Sequence, residues 1–216
     1  MIFSPKTKNA DLQVILDSAK VRDREDVYRK DPVLQQLIDD FHGKCYLCED
    51  EAVGINIEHF EPHKDVKEKK YDWNNLFYSC GHCNNVKLAQ FWPLLNCTSA
   101  EDHVWESVEI ALDQSEFVPV LIITPHPISG KELECQNTCQ LLEKSLNGKD
   151  AKPIKKQGAK VLRMRIQRTI VDLTKAIICG DFVKVEEMQS NSAPFAGIVR
   201  WCLKTNWPDL LKQQVA

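Results

Sequence analysis

The sequence lacks any run approaching the ~18 uncharged apolar residues of a membrane-spanning helix, and its opening stretch, MIFSPKTKNADLQ, contains no apolar segment of the secretory kind. A cytoplasmic protein with no membrane partner is expected. It also lacks an excess of one charge. Its 28 Lys plus Arg stand against 31 Asp plus Glu, a formal net charge of -3, so no global basic field points to nucleic acid and any such binding has to be local. A GxxxxGK[ST] loop is missing too: the nearest stretch, HGKC, has neither the earlier glycine nor the hydroxyl residue, so energy from nucleoside triphosphate would have to come from another chain. There is no internal repeat and no low-complexity tract. What the 216 residues do have is a 43% hydrophobic share, enough for a core without covalent staples, and nine cysteines. The number is odd and five of them (Cys97, Cys135, Cys139, Cys179, Cys202) are scattered, which fits no disulfide framework. The other four form two CxxC pairs.

Hydrophobic periodicity predicts a helix over 10–20, with Leu12, Val14, Ile15 and Ala19 on its packed face, and a second over 31–41, with Asp31 as N-cap, Pro32 in the first position and Gly43 as its stop. From Lys44 to Cys97 the composition turns to aromatics, short turns and metal-type residues. Beyond Cys97 the chain reads as mainly helical. The exception is FVPVLIIT at 117–124, a β-rich run. About two turns of helix are expected near 137–146. A long helix follows from Pro153 to Cys179, with Ile154, Leu162, Ile166, Thr169, Leu173, Ala176 and Ile177 on one face. DFVKVEEMQ and PFAGIVRWCLK read as two further helices.

Two CxxC turns, Cys45 with Cys48 and Cys80 with Cys83, supply the four thiolates of a structural Zn2+ site. The 31 residues between Cys48 and Cys80 exceed the gap of a simple zinc ribbon, so something is folded between the pairs. INIEHF alternates as a short strand, with Glu58 and Phe60 facing away from Ile57 and His59. A charged loop, EPHKDVKEKK, leads to YDWNNLFYSC and then to a helix starting at the second pair. The expected fold class is therefore α+β and mostly helical: a ββα-metal core with a four-cysteine zinc knuckle over 42–97, N-terminal helices over 1–41 and a mainly helical region over 98–216. Trp73, Leu76, Phe77 and Phe91 are expected to pack that core.

The segments CYLC, IEHFEP and WNNLFYSCGHCNNVK, in this order, resemble the zinc-knuckle branch of the HNH endonucleases. The resemblance implies that His59 is the general base that activates water, that Glu58 and Asn84 hold a catalytic Mg2+ or Mn2+ distinct from the zinc, and that Asn75 holds the loop orienting His59. His63 is a further candidate for the site, and Lys64, Lys87 and His82 are candidate contacts to nucleic acid. Glu58 stands where many members carry Asp, and Asn84 where others carry His. The chemistry has its own logic: phosphodiester hydrolysis needs an activated water and a cation to offset charge on the departing oxygen, and a hard cation takes oxygen ligands. More loosely, LLNC after FWP, PFAGIVRW at 194–201 and IEHFEPHKD are similar to the PtuB-type HNH subunits of Septu antiphage defence systems, which are also found attached to retrons. That likeness implies an ABC-type ATPase of the PtuA kind as partner, and with a retron a reverse transcriptase and its RNA/DNA product.

Between 149 and 175 nine Lys or Arg face two Asp, a local field that would suit either the phosphates of DNA or RNA or an acidic surface on a partner. Two further readings of the whole chain stay open here: a non-catalytic zinc-knuckle binding module, and a stand-alone DNA-processing nuclease.

Overall fold

The computed structural model describes residues 1–24, 26–51, 54–113 and 119–211. Helix α1, Ala10–Arg22, is capped by the Asn9 side chain, which accepts from the backbone N–H of Asp11 and Leu12. Its buried residues are Leu12, Leu16 and Ala19, whereas Val14 is 62% exposed and so falls off the face predicted for it. Helix α2, Val33–Asp40, has Pro32 as its N-cap and no side-chain cap, so the cap expected of Asp31 is not made. Gly43, with φ +68, closes the helix by donating its N–H to the Ile38 carbonyl, as its αL-permissive backbone allows.

The segment between the CxxC pairs folds as expected into an antiparallel hairpin and a helix. Strand β1, Ile55–His59, pairs with β2, Leu76–Cys80, in a register that sets Glu58 opposite Phe77 and His59 opposite Leu76. One helical turn, α3 (Lys67–Lys70), sits in the charged loop between them, and α4, Gly81–Lys87, leaves directly from the end of β2. Trp73, Leu76 and Phe77 are buried, Phe60 stacks on Phe77 with ring centroids 4.7 Å apart, and Phe91 is half-buried against the core.

A short helix α5, Val104–Ser107, runs into a strand that the helical reading of this region missed: β3, Val108–Asp113, pairs antiparallel with β4, Val120–Pro125. Of the β-rich run, Phe117 and Val118 lie outside the described residues. Helix α6, Glu132–Leu142, begins earlier than expected and continues as a π-helical turn, Glu143–Asn147, before Gly148 at φ +72 stops it. Helix α7, Pro153–Ile178, has the predicted length, but the buried face is formed by Ala159, Leu162, Ile166, Ile170, Leu173 and Ala176, while Ile154 is 82% exposed. Helices α8, Phe182–Gln189, and α9, Ala196–Asn206, complete the chain.

One cluster of buried side chains runs from Met1 to Leu203. The knuckle is clasped by the later helices: Glu49 accepts from the Gly197 N–H at 2.8 Å, and Asp50 pairs with Arg165 at 2.6 Å. A side chain at Gly197 would put its Cβ 2.5 Å from the Glu49 carboxylate, so close approach demands glycine there.

Candidate nuclease site

The four sulfurs of Cys45, Cys48, Cys80 and Cys83 all lie within 4.8 Å of one another and are buried. Cys48 and Cys80 Sγ are 3.9 Å apart, close to the edge of about 3.8 Å that a tetrahedron with Zn–S bonds of about 2.3 Å requires. The donor set therefore fits Zn2+. Burial raises the Cys45 thiol, but hydrogen bonds from the other sulfurs outweigh it and hold Cys45 well below the usual thiol range, while Cys48 and Cys83 are pushed well up by sharing their protons with it. Bound Zn2+ would let all four buried thiols ionise.

The knuckle positions a second group of side chains. His59 ends β1 half-buried, with its ring edge-on to Tyr28 (centroids 5.5 Å apart) and to His63 (4.6 Å). Its Nε2 is 3.0 Å from the Lys70 carbonyl, which can only accept; the proton thus sits on Nε2 and the lone pair on Nδ1. Burial lowers the His59 pKa to about 4, with the Lys70 bond opposing and the nearby His63, Lys87 and Lys70 charges adding to the fall, so the ring is neutral at pH 7. His63 Nδ1 accepts the Asp65 N–H at 3.0 Å, which places the His63 proton on Nε2.

Asn75 is buried and clamps the intervening loop at three points. Its side-chain oxygen accepts from the Glu61 N–H at 2.7 Å, and its amide donates to the carbonyls of Glu61 (3.0 Å) and Lys69 (2.9 Å). The loop so held is the one whose Lys70 carbonyl anchors His59.

Glu58, the neighbour of His59 on a strand, points to the opposite face, as period-2 geometry dictates. It is buried, its carboxyl pKa raised by burial against the pull of Lys87, and its Oε1 lies 2.5 Å from Lys87 Nζ. The same ammonium donates to the His59 carbonyl at 2.9 Å. Two oxygens thus converge on one cation, which the chain itself supplies. The pair is an oxygen donor set of the kind a hard cation takes, and Asn84 lies half-buried in the first turn of α4, so a divalent ion at Glu58 and Asn84 would compete with the Lys87 ammonium.

Two expected nucleic-acid contacts are corrected. Lys87 is 0% exposed and engaged with Glu58, so it cannot reach a phosphate: helical spacing places it on the side of Asn84, and that side faces inward at its level. His82 is half-buried; its Nε2 donates to the Ser145 carbonyl at 2.8 Å, and a Cβ at Gly158 would fall 2.4 Å from its Nδ1, so it docks α4 onto the π-helical turn and α7. Lys64 is exposed. Its neighbours are spoken for: Lys67 pairs with Asp23, Lys69 with Glu61, and Lys70 is buried. Tyr28, 31 residues before His59, had no local signal that would have placed it against the imidazole.

A search among curated proteins finds no match. Residues 45–90, the span from the first knuckle cysteine to just beyond α4, match the family model described as HNH endonuclease, and the chain therefore carries an HNH endonuclease domain over that span.

Proposed function

We propose that the protein is a metal-dependent endonuclease that hydrolyses nucleic-acid phosphodiester bonds with His59 as general base. The observation that carries this reading is the state of His59: neutral, its Nε2–H committed to the Lys70 carbonyl, and its Nδ1 left to take a proton. Water loses that proton to Nδ1 as its oxygen bonds to phosphorus, and the P–O bond to the leaving nucleotide breaks. Asn75 fixes the loop so that the base is held without rearrangement. When bound, Mg2+ or Mn2+ would supply electrostatic stabilisation of the developing negative charge, held by Asn84 and Glu58. His63 would orient the substrate phosphate from the same side, a role its ring contact with His59 supports.

The wider reading is an effector subunit of a Septu-type antiphage complex, in the cytoplasm, beside an ABC-type ATPase of the PtuA kind. Support for a protein partner comes from α7, where Ile154, Val161, Met164, Val171 and Ile178 stand exposed at near-heptad spacing, an apolar stripe of the kind that another helix covers. A Met164→Glu/Val171→Glu variant should lose co-purification with such an ATPase on co-expression.

The test of the catalytic reading is metal restoration. Protein treated with EDTA until zinc alone remains should be inert on plasmid DNA and transfer RNA and regain cleavage of one of them with Mg2+ or Mn2+. Inactivity on both with every divalent ion added contradicts it.

A further inference from the structure

We infer that the first half of α7 and the turn before it form a binding track for the phosphodiester backbone of DNA or RNA, an extension of the substrate site that rests on the nuclease reading above. A depression of about 500 Å³ opens between the end of the π-helical turn and α7, lined by Asn147, Gly148, Lys156, Gln157, Lys160 and Arg163, with Pro153 at its edge. Lys156, Lys160 and Arg163 follow one another at i, i+4 and i+7, the spacing that stacks side chains on one face of a helix.

Three features decide what this surface takes. First, no lining residue is acidic, and among the described residues neither Lys156 nor Lys160 is in an ion pair, whereas Arg165 and Lys175 on the same helix have Asp50 and Asp172. Lys156 and Lys160 are thus two cations set side by side with no acidic partner among the described residues. The neighbouring cavity of about 510 Å³ makes the contrast: Lys144 and Lys149 share its lining with Glu143 and Asp150, so nothing there selects an anion.

Second, the depression offers cations and two amides but no apolar anchor beyond Pro153. A protein interface is built around buried apolar or aromatic anchors, while a phosphate chain needs none. The apolar stripe of α7 lies beside this flank and is the part suited to a protein.

Third, the floor is fixed. Gly148, at φ +72, lies so close to α7 that a Cβ there would sit 3.2 Å from Lys156 Cα, and Arg163 Nη1 donates to the Leu146 carbonyl at 2.8 Å. The track is also joined to the candidate site: Lys155 Nζ donates to the Asn85 carbonyl, one residue after Asn84, and His82 is wedged against Gly158. These contacts fix α7, and the flank it carries, relative to α4.

The experiment measures binding, not cleavage, of matched DNA and RNA oligonucleotides, single-stranded and duplex, by fluorescence anisotropy across a salt series in a His59→Ala background. Neutralising two phosphate contacts with Lys156→Gln/Lys160→Gln should lower the slope of log affinity against log salt by about 1.8 for duplex DNA or about 1.4 for single strands. Lys184→Gln, an exposed lysine on α8 paired with Glu187, should leave the slope as it was. A reduced slope with either polymer supports the track, and the arm in which it is larger names the polymer. An unchanged slope with both, with retained fold and zinc content, overturns it and assigns the flank to an acidic protein surface. Hydrolysis of bis(p-nitrophenyl) phosphate by the unmutated protein, which needs no track, reports separately on the catalytic reading.

Discussion

Replacing Lys87 with methionine tests the buried core of the site while the His59 side chain itself stays unchanged. Methionine is one atom shorter than lysine and similar to it in helix propensity, so the perturbation is chiefly the loss of the ammonium and its two hydrogen bonds. Lys87 is 0% exposed and the Glu58 side chain 10%, with 2.5 Å between them, and the ammonium also satisfies the His59 carbonyl. Removing one partner of a buried pair costs about 3–5 kcal/mol, because the remaining charge is stranded away from water. Urea denaturation in zinc-saturated buffer should show that loss. Glu58→Gln in the same background removes the stranded charge and should recover about half of it, about 2 kcal/mol, so the two changes are not additive. The pH dependence has a definite sign. Burial already raises the folded-state pKa of Glu58 and loss of Lys87 raises it further, so the penalty is absent below the unfolded pKa and grows as pH rises through the folded one. The deficit against the unmutated protein should therefore shrink on acidification. A Lys87→Met protein within 0.5 kcal/mol of the original, or an absence of coupling to Glu58→Gln, would refute the reasoning.

Two further outcomes follow from contacts elsewhere. Gly158→Ala should destabilise by about 1–3 kcal/mol because its Cβ meets the His82 ring, yet in a His82→Ala background the same change should stabilise by up to about 1 kcal/mol through helix propensity, both read by thermal or urea unfolding. Native mass spectrometry should find one zinc per chain, reduced to none with loss of the cooperative unfolding transition in Cys45→Ser or after prolonged treatment with a zinc-selective chelator.

Those contacts also show what the residues could disclose on their own. The knuckle was legible because four thiolates at CxxC spacing have few other uses in a chain without disulfides, and the hairpin because INIEH alternates with period two up to its turn. Helix α7 was legible from its length. Its buried face was displaced: Ile154 and Val161 are apolar and exposed, and an apolar residue on a helix with two apolar sides does not say which side meets the core. Strand β3 was not legible, since VEIALD is six residues long and acquires its pairing only from β4 across a connecting segment. Lys87 carries the sharpest lesson. Its spacing from Asn84 placed it on the right side of α4, but only the fold brings Glu58 beneath it and turns an expected surface cation into a buried one. His82 changed role for the same reason, because Gly158 lies 76 residues away in sequence.

The account rests on the imidazole of His59, and one comparison addresses it. Single-turnover cleavage of a labelled nucleic acid should be followed for the original protein and His59→Ala at equal zinc content and saturating Mg2+. Loss of a positioned general base should slow the step by a factor of about 10² to 10⁴, and the activity of the original protein should fall away on acidification only as pH approaches about 4, where His59 takes up its proton. Equal rates for the two proteins would contradict the account.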